Sequence, residues 1–123
     1  MHLLPTDRTH HLAIDAHRVC LAHEALGEPG HLTTWAARFS LLSDPNRLAL
    51  LLCIRTAGPI SVTDLALATG INPTTTSQAL RLLRATGTVT TTREGRVIRY
   101  QLADDTLHTL LATTNPTQPI PNT

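Results

Sequence analysis

Leu12, Ala16, Val19, His23 and Leu26 follow one another at alternating spacings of four and three. That is the period of one helix face. With Thr9 as N-cap and Gly27 as stop, the pattern predicts a helix over 10–26. A second helix is expected over 32–42, with Trp35, Phe39 and Leu42 on one side. Ser43-Asp44-Pro45 then breaks the chain, Asp44 serving as cap and Pro45 entering the first turn. Leu48, Leu50, Leu51, Leu52 and Ile54 make the next segment, over 46–55, apolar nearly all round. That marks it as the buried centre.

Gly58-Pro59 ends that helix, and Ile60 starts a strand of one or two residues. Ser61-Val62-Thr63-Asp64 reads as a capping box opening a short helix that stops at Gly70. After a tight turn, Asn72 caps a helix from Pro73 to about Ala85, closed by Gly87. Two short helices so joined form a helix-turn-helix. Ile98, Tyr100 and Leu102 then alternate with Val97, Arg99 and Gln101, which predicts a hairpin of 88–93 and 96–102 turning at Glu94-Gly95. Asp104 or Asp105 caps a last helix reaching Ala112. The fold expected is mainly α with a small β-hairpin, one domain over 10–112. Residues 1–9 are expected to be a flexible N-terminus, and 113–123, rich in Thr, Pro, Asn and Gln, a disordered tail.

Composition narrows the function. A chain of 123 residues with 41% hydrophobic content fills one core and leaves little room for a two-domain enzyme. The longest apolar run, Leu48 to Ile54, is far short of a membrane span. The opening Met-His-Leu-Leu-Pro-Thr-Asp-Arg has no basic cluster before an apolar core, so a cytoplasmic protein without signal peptide is expected. Net charge is only +1, yet 71–102 holds five arginines against the single acid Glu94. Such local separation suits contact with an anionic polymer, because screening makes the Coulomb attraction local. On the helix of 73–85, Thr76, Ala79, Leu80 and Leu83 are spaced for burial, leaving Thr74, Thr75, Ser77, Gln78, Arg81 and Arg84 to reach a DNA groove. Gln can pair bidentately with adenine, threonine methyls can touch thymine, and Arg can hold guanine or phosphate. Arg93, Arg96 and Arg99 place three more cations on the hairpin.

Phe39-Ser-Leu-Leu-Ser-Asp-Pro-Asn-Arg-Leu-Ala-Leu-Leu51, Val62-Thr-Asp-Leu-Ala66, Thr76-Ser-Gln-Ala-Leu-Arg-Leu-Leu-Arg84 and Gly95-Arg-Val-Ile-Arg-Tyr-Gln-Leu102 together resemble the ArsR/SmtB family of winged-helix repressors. The resemblance spans about residues 34–111 and implies a homodimer on a palindromic DNA operator, retuned by an inducer that is often a metal ion. It also implies that Ser77, Gln78 and Arg81 lie on the recognition helix and Arg93 to Arg99 on the wing. The family's usual metal positions are not reproduced. Val62-Thr63-Asp64 stands where a cysteine pair would be, and Thr106 occupies the place of a histidine two residues after Asp104.

A different ligand set is available near the N-terminus. His17, Cys20, His23 and Glu24 fall within about 120° of arc on the first helix, and His10 lies one heptad before His17. Imidazole, thiolate and carboxylate donors suit Zn²⁺, Ni²⁺ or Co²⁺ rather than Mg²⁺ or Ca²⁺, and Ni²⁺ or Zn²⁺ is the ion expected. One helix rarely closes a shell alone, so His2, the terminal amine or His108 of the partner subunit is expected to contribute. The competing readings are a winged-helix DNA-binding or interaction module without metal response, with His23 packed and Cys20 buried, and a redox pair of Cys20 with Cys53. The redox pair is disfavoured because Cys53 sits in the most apolar helix, where thiols are inert. No His-Glu-x-x-His pattern, glycine-rich loop or nucleophile elbow argues for an enzyme.

Overall fold

Five helices start where a short polar side chain can accept the orphan N–H three residues on. Asp15 accepts from Arg18 at 3.0 Å, Asp44 from Arg47 at 2.9 Å and Ser61 from Asp64 at 3.2 Å. Asn72 accepts from Thr75 at 2.8 Å, and Asp104 from Leu107 at 3.1 Å. These caps set the element order in the computed structural model, which describes residues 12–114 and 116. The order is α1 (Ala16–Glu24), α2 (His31–Leu42), α3 (Pro45–Ala57), β1 (Ile60–Ser61), α4 (Val62–Thr69), α5 (Pro73–Ala85), β2 (Val89–Glu94), β3 (Val97–Leu102) and α6 (Asp105–Ala112). The expected winged helix-turn-helix is present, mainly α with a small sheet.

The described chain falls into two compact units, the first closing at Arg38 and the second opening at Phe39. In the first, the helix expected over 10–26 is shorter at both ends. Asp15 rather than Thr9 is the cap, because its carboxylate both accepts the Arg18 N–H and pairs with Arg18 Nε at 3.1 Å. Leu12 and Ile14, expected at or inside the helix start, precede it and are fully exposed. Thr9, His10 and the rest of 1–11 lie outside the described residues, as do 115 and 117–123 of the expected tail. No residue of α1 or α2 is buried. Trp35 meets the His31 ring edge-on at 6.4 Å, and the Arg38 guanidinium lies 4.9 Å from its centroid.

The second unit is built around α3. Leu50, Leu51 and Ile54 pack with Leu65, Leu80, Leu83, Val89, Leu107 and Leu111 into one cluster with almost no solvent access. Arg47 ties the start of α3 to the end of α2, its Nε and Nη2 donating to the carbonyls of Leu41 and Ser40 at 3.0 and 3.1 Å. The sheet has the order β1-β3-β2 and is antiparallel throughout. Ile60 pairs with Tyr100, so the short strand expected at Ile60 becomes the third member of the wing's sheet. Gly58 allows the backbone crossing there: a Cβ would stand 2.6 Å from the Ile54 carbonyl.

Leu80 is wholly buried and Leu67 is 79% exposed. Leu80→Ala is therefore expected to lower unfolding free energy by about 2–5 kcal/mol in urea melts, and Leu67→Ala by under about 0.5 kcal/mol.

Candidate nucleic-acid interface

The turn between α4 and α5 decides which way α5 faces. Gly70 closes α4 in the left-handed conformation at φ 76°, where a Cβ would be strained. Asn72 then caps α5, and Thr76, wholly buried, donates its hydroxyl to the Asn72 carbonyl at 2.9 Å. With Thr76, Leu80 and Leu83 turned inward, the opposite stripe of α5 is forced into solvent.

That stripe consists of Thr74, Gln78 and Arg81, all exposed and within about 60° of arc at 100° per residue. Arg84 is exposed on its flank, beside a half-buried Ser77. Thr75, on the other flank, is half-buried, and its N–H is taken by Asn72. The six polar residues expected on α5 thus form an outer row of three and two edges. A hydroxyl, an amide and a guanidinium in one row can address base edges and phosphate together.

The wing carries the other three arginines, and its register separates them. Arg93 pairs with Ile98 and Thr92 with Arg99. Side chains alternate between faces along each strand, so Arg93 and Arg99 stand on opposite sides of the hairpin. Arg93 lies on the side of Val89 and Tyr100 but beyond the core, where it is exposed. Its Nε donates to the Gly95 carbonyl at 3.0 Å and so clasps the turn. The turn itself is Gly95-Arg96, one residue later than expected, because Glu94 and Val97 still pair. Gly95 takes φ 61°, which a two-residue hairpin turn requires. Arg96 therefore stands at the tip, exposed.

Arg99 is half-buried, and its Nε is shielded from solvent without a hydrogen-bond partner among the described residues. It shares with Arg96 a cleft of about 480 Å³ against the first turn of α4, where Thr63 and Asp64 form the other wall. Residue patterns missed this neighbourhood. It arises because β1 pairs with β3, which sets Ser61 beside Arg99. The signal was the single strand-forming Ile60, too short to name its partner.

The metal-ligand candidates stand in the first unit. His17, Cys20, His23 and Glu24 all lie on α1, His17 and Glu24 exposed, Cys20 and His23 half-buried. His23 Nδ1 is shielded from solvent and has no hydrogen-bond partner among the described residues. Among those residues no three or more His, Cys, Asp or Glu side chains come together as a metal shell. His2 and His10 lie outside the described residues. Cys20 and Cys53 are both free thiols. His108, on α6, is exposed, and its carbonyl accepts the Arg55 Nε–H at 3.0 Å.

Known proteins are similar to this chain in sequence and fold. Residues 43–90 match the winged helix-turn-helix DNA-binding family. The chain is 42% identical over 76 residues to the HTH-type transcriptional regulator NmtR of Mycobacterium tuberculosis, a match spanning 62% of either protein. It therefore covers less than two thirds of that relative's length. Among solved structures, the cadmium metal-sensor CMTR of Mycobacterium tuberculosis is 32% identical with a TM-score of 0.55, over 69% of this chain and 95% of that one. The homodimeric winged helix-turn-helix domain of a possible ArsR-family regulator from Mycobacterium bovis is 28% identical with a TM-score of 0.57, over 72% of this chain and 84% of that one. No helix among the described residues is long and apolar enough to cross a membrane.

The clasp at Gly95 makes Arg93 a support of the wing as well as a charge. Arg93→Ala is expected to raise amide hydrogen exchange at Gly95 to Val97 about two- to tenfold while leaving Val89 and Leu102 protected. This follows from losing one net hydrogen bond of about 0.5–1.5 kcal/mol.

Proposed function

Because the chain belongs to the ArsR/SmtB family of winged helix-turn-helix transcriptional regulators, we propose that it binds an operator palindrome as a homodimer, its affinity for DNA set by a transition metal ion, Ni²⁺ or Zn²⁺. The observation that carries the DNA half of this reading is the outward row Thr74, Gln78 and Arg81 on a helix whose inner side is buried. In this reading α5 enters the major groove. Gln78 and Arg81 reach base edges, with Thr74 and Ser77 beside them, while Arg84 and Thr75 meet the groove's walls. Arg96 at the wing tip meets phosphate or minor groove, with Arg93 and Arg99 supplying charge from the two faces behind it.

The dimer is supported by the first unit's composition and by the homodimeric relative. Leu21, Leu26 and Leu32 are exposed there, and no residue of α1 is buried. Two half-sites one helical turn apart also call for a two-fold protein.

The metal reading rests on the donor set of α1 and on His23 Nδ1, which has no hydrogen-bond partner among the described residues. Imidazole from His17 and His23, thiolate from Cys20 and carboxylate from Glu24 form a borderline-soft set that fits Ni²⁺ or Zn²⁺ and not Mg²⁺ or Ca²⁺. A bound ion would supply coordination bonds that tie the first helices to further ligands, His10, His2 or His108 of the partner subunit among them. The chain's own residues provide the readout: a change in how two first helices pair alters the spacing of two recognition helices. Metal and DNA then share one pair of dimer states and must influence each other equally. The cadmium metal-sensor among the relatives supports a metal as effector.

Two measurements test the reading. Metal-free dimer is titrated with Ni²⁺ and Zn²⁺ while the thiolate charge-transfer absorption and the affinity for a duplex selected from a random pool are followed together. Stoichiometric binding is expected, with a nickel–thiolate band lost in Cys20→Ser and a change in DNA affinity of about 5–150-fold. Binding that leaves DNA affinity unchanged removes the metal from the account.

On the DNA side, Arg81→Ala is expected to weaken the selected duplex about tenfold or more and random DNA much less. Arg96→Ala is expected to weaken both alike and reduce the salt slope by about one. Unaltered affinity for the selected duplex in Arg81→Ala takes α5 out of the groove.

A further inference from the structure

The second unit has a cleft of about 420 Å³ with an apolar lining that includes no residue of α5 and none of the wing arginines. Leu52 and Cys53 of α3, Ile60 of β1, Ala68 of α4 and Leu111 of α6 form most of its surface. One cation belongs to the lining, Arg55. Its Nε donates to the His108 carbonyl at 3.0 Å, which bridges α3 to α6 and fixes the plane of the guanidinium. No acid pairs with it among the described residues, so both terminal nitrogens remain open to a ligand.

We propose that this cleft binds a small apolar carboxylate, its hydrocarbon part over Cys53, Ile60 and Ala68 and its carboxylate on the terminal nitrogens of Arg55. The volume lies within the range of small-molecule sites, which pair an apolar surface with a few placed polar groups. The occupant's charge follows from the guanidinium. A planar fork with its Nε already engaged presents two parallel N–H donors, the geometry a carboxylate takes bidentately. The occupant's body follows from the lining, which apart from Arg55 and the Thr56 hydroxyl offers only hydrocarbon or a thiol. A neutral apolar molecule would leave Arg55 without a counter-charge, and a hydrophilic anion would bury nothing. The site goes beyond the metal reading: it uses none of the α1 residues, and it places the ligand against Ala68 on the first helix of the helix-turn-helix.

Cys53 reports occupancy directly. Metal-free full-length protein is alkylated with iodoacetamide, with and without 2-naphthoate, and the extent at Cys53 and Cys20 is read separately by peptide mass. The expected result is saturable slowing at Cys53, with Cys20 unchanged. 2-Naphthylmethanol, of similar shape and no charge, should need about tenfold higher concentration for the same protection. Arg55→Gln should abolish the difference between acid and alcohol, and Arg55→Lys should restore part of it. Cys53 alkylated at the same rate in saturating naphthoate overturns the proposal, as does equal protection by acid and alcohol in the unsubstituted protein. Protection that rises with protein concentration and needs no naphthoate makes a second copy of the chain the occupant and overturns it too.

Discussion

The second unit depends on one set of contacts, the burial of Leu50, Leu51 and Ile54 of α3 against leucines from α4, α5 and α6. Each of these leucines, fully removed from water, contributes about 1.5–3 kcal/mol relative to exposure. With only 2% aromatic residues in the chain, the cluster itself holds no ring, and Tyr100 packs against it from its edge, half-buried. Close-packed branched aliphatics leave α5 little rotational freedom. Thr76, Leu80 and Leu83 must all point inward, and Thr76 adds a hydroxyl bond to the Asn72 carbonyl that locks the first turn. The outward row of Thr74, Gln78 and Arg81 is thus a consequence of the core. A surface that reads DNA needs side chains held to a fraction of an ångström, and a packed helix provides this better than a loop.

The wing solves a different problem. Beyond Tyr100 the hairpin has left the core, and Val97 and Ile98 are 40% exposed. Its tip is held instead by local chemistry: a glycine in the left-handed region, a guanidinium clasp on the Gly95 carbonyl, and a ladder of paired strands. Such a tip retains charge at its end and tolerates adjustment, which suits contact with phosphate more than with particular bases. The division of labour between rigid α5 and adaptable wing therefore follows from how far each element lies from the α3 cluster.

Much of this was legible in the residues. Asp44-Pro45, Ser61 through Asp64, and Asn72-Pro73 are local signals whose mechanism operates within one turn, and α3, α4 and α5 begin where those signals put them. The inward set of α5 was equally plain, since a period of 3.6 needs no knowledge of the partner. The start of the first helix was not, because Thr9 and Asp15 are both competent caps and only the bidentate engagement of Arg18 distinguishes them. Non-local pairing was also hidden. Nothing near Ile60 says that it will join Tyr100, and hence nothing said that Arg96 and Arg99 would share a cleft with Thr63 and Asp64. The opposed faces of Arg93 and Arg99 follow from strand alternation with either turn, but Arg96 reaches the tip only once the turn is placed at Gly95-Arg96 rather than one residue earlier. The α1 ligand set could be named from its spacing on one helix. What completes it could not, because that depends on residues far away in sequence or in a second copy.

The central claim is that a two-fold pair of these chains sets two copies of α5 into successive major grooves. Hydroxyl-radical and methylation footprinting of a selected duplex, with the full-length protein, tests it most directly. The account predicts two protected major-groove patches with centres about 10–10.5 base pairs apart, or a multiple of that spacing, related by a two-fold axis. A single protected patch, or protection with no helical periodicity, would contradict it.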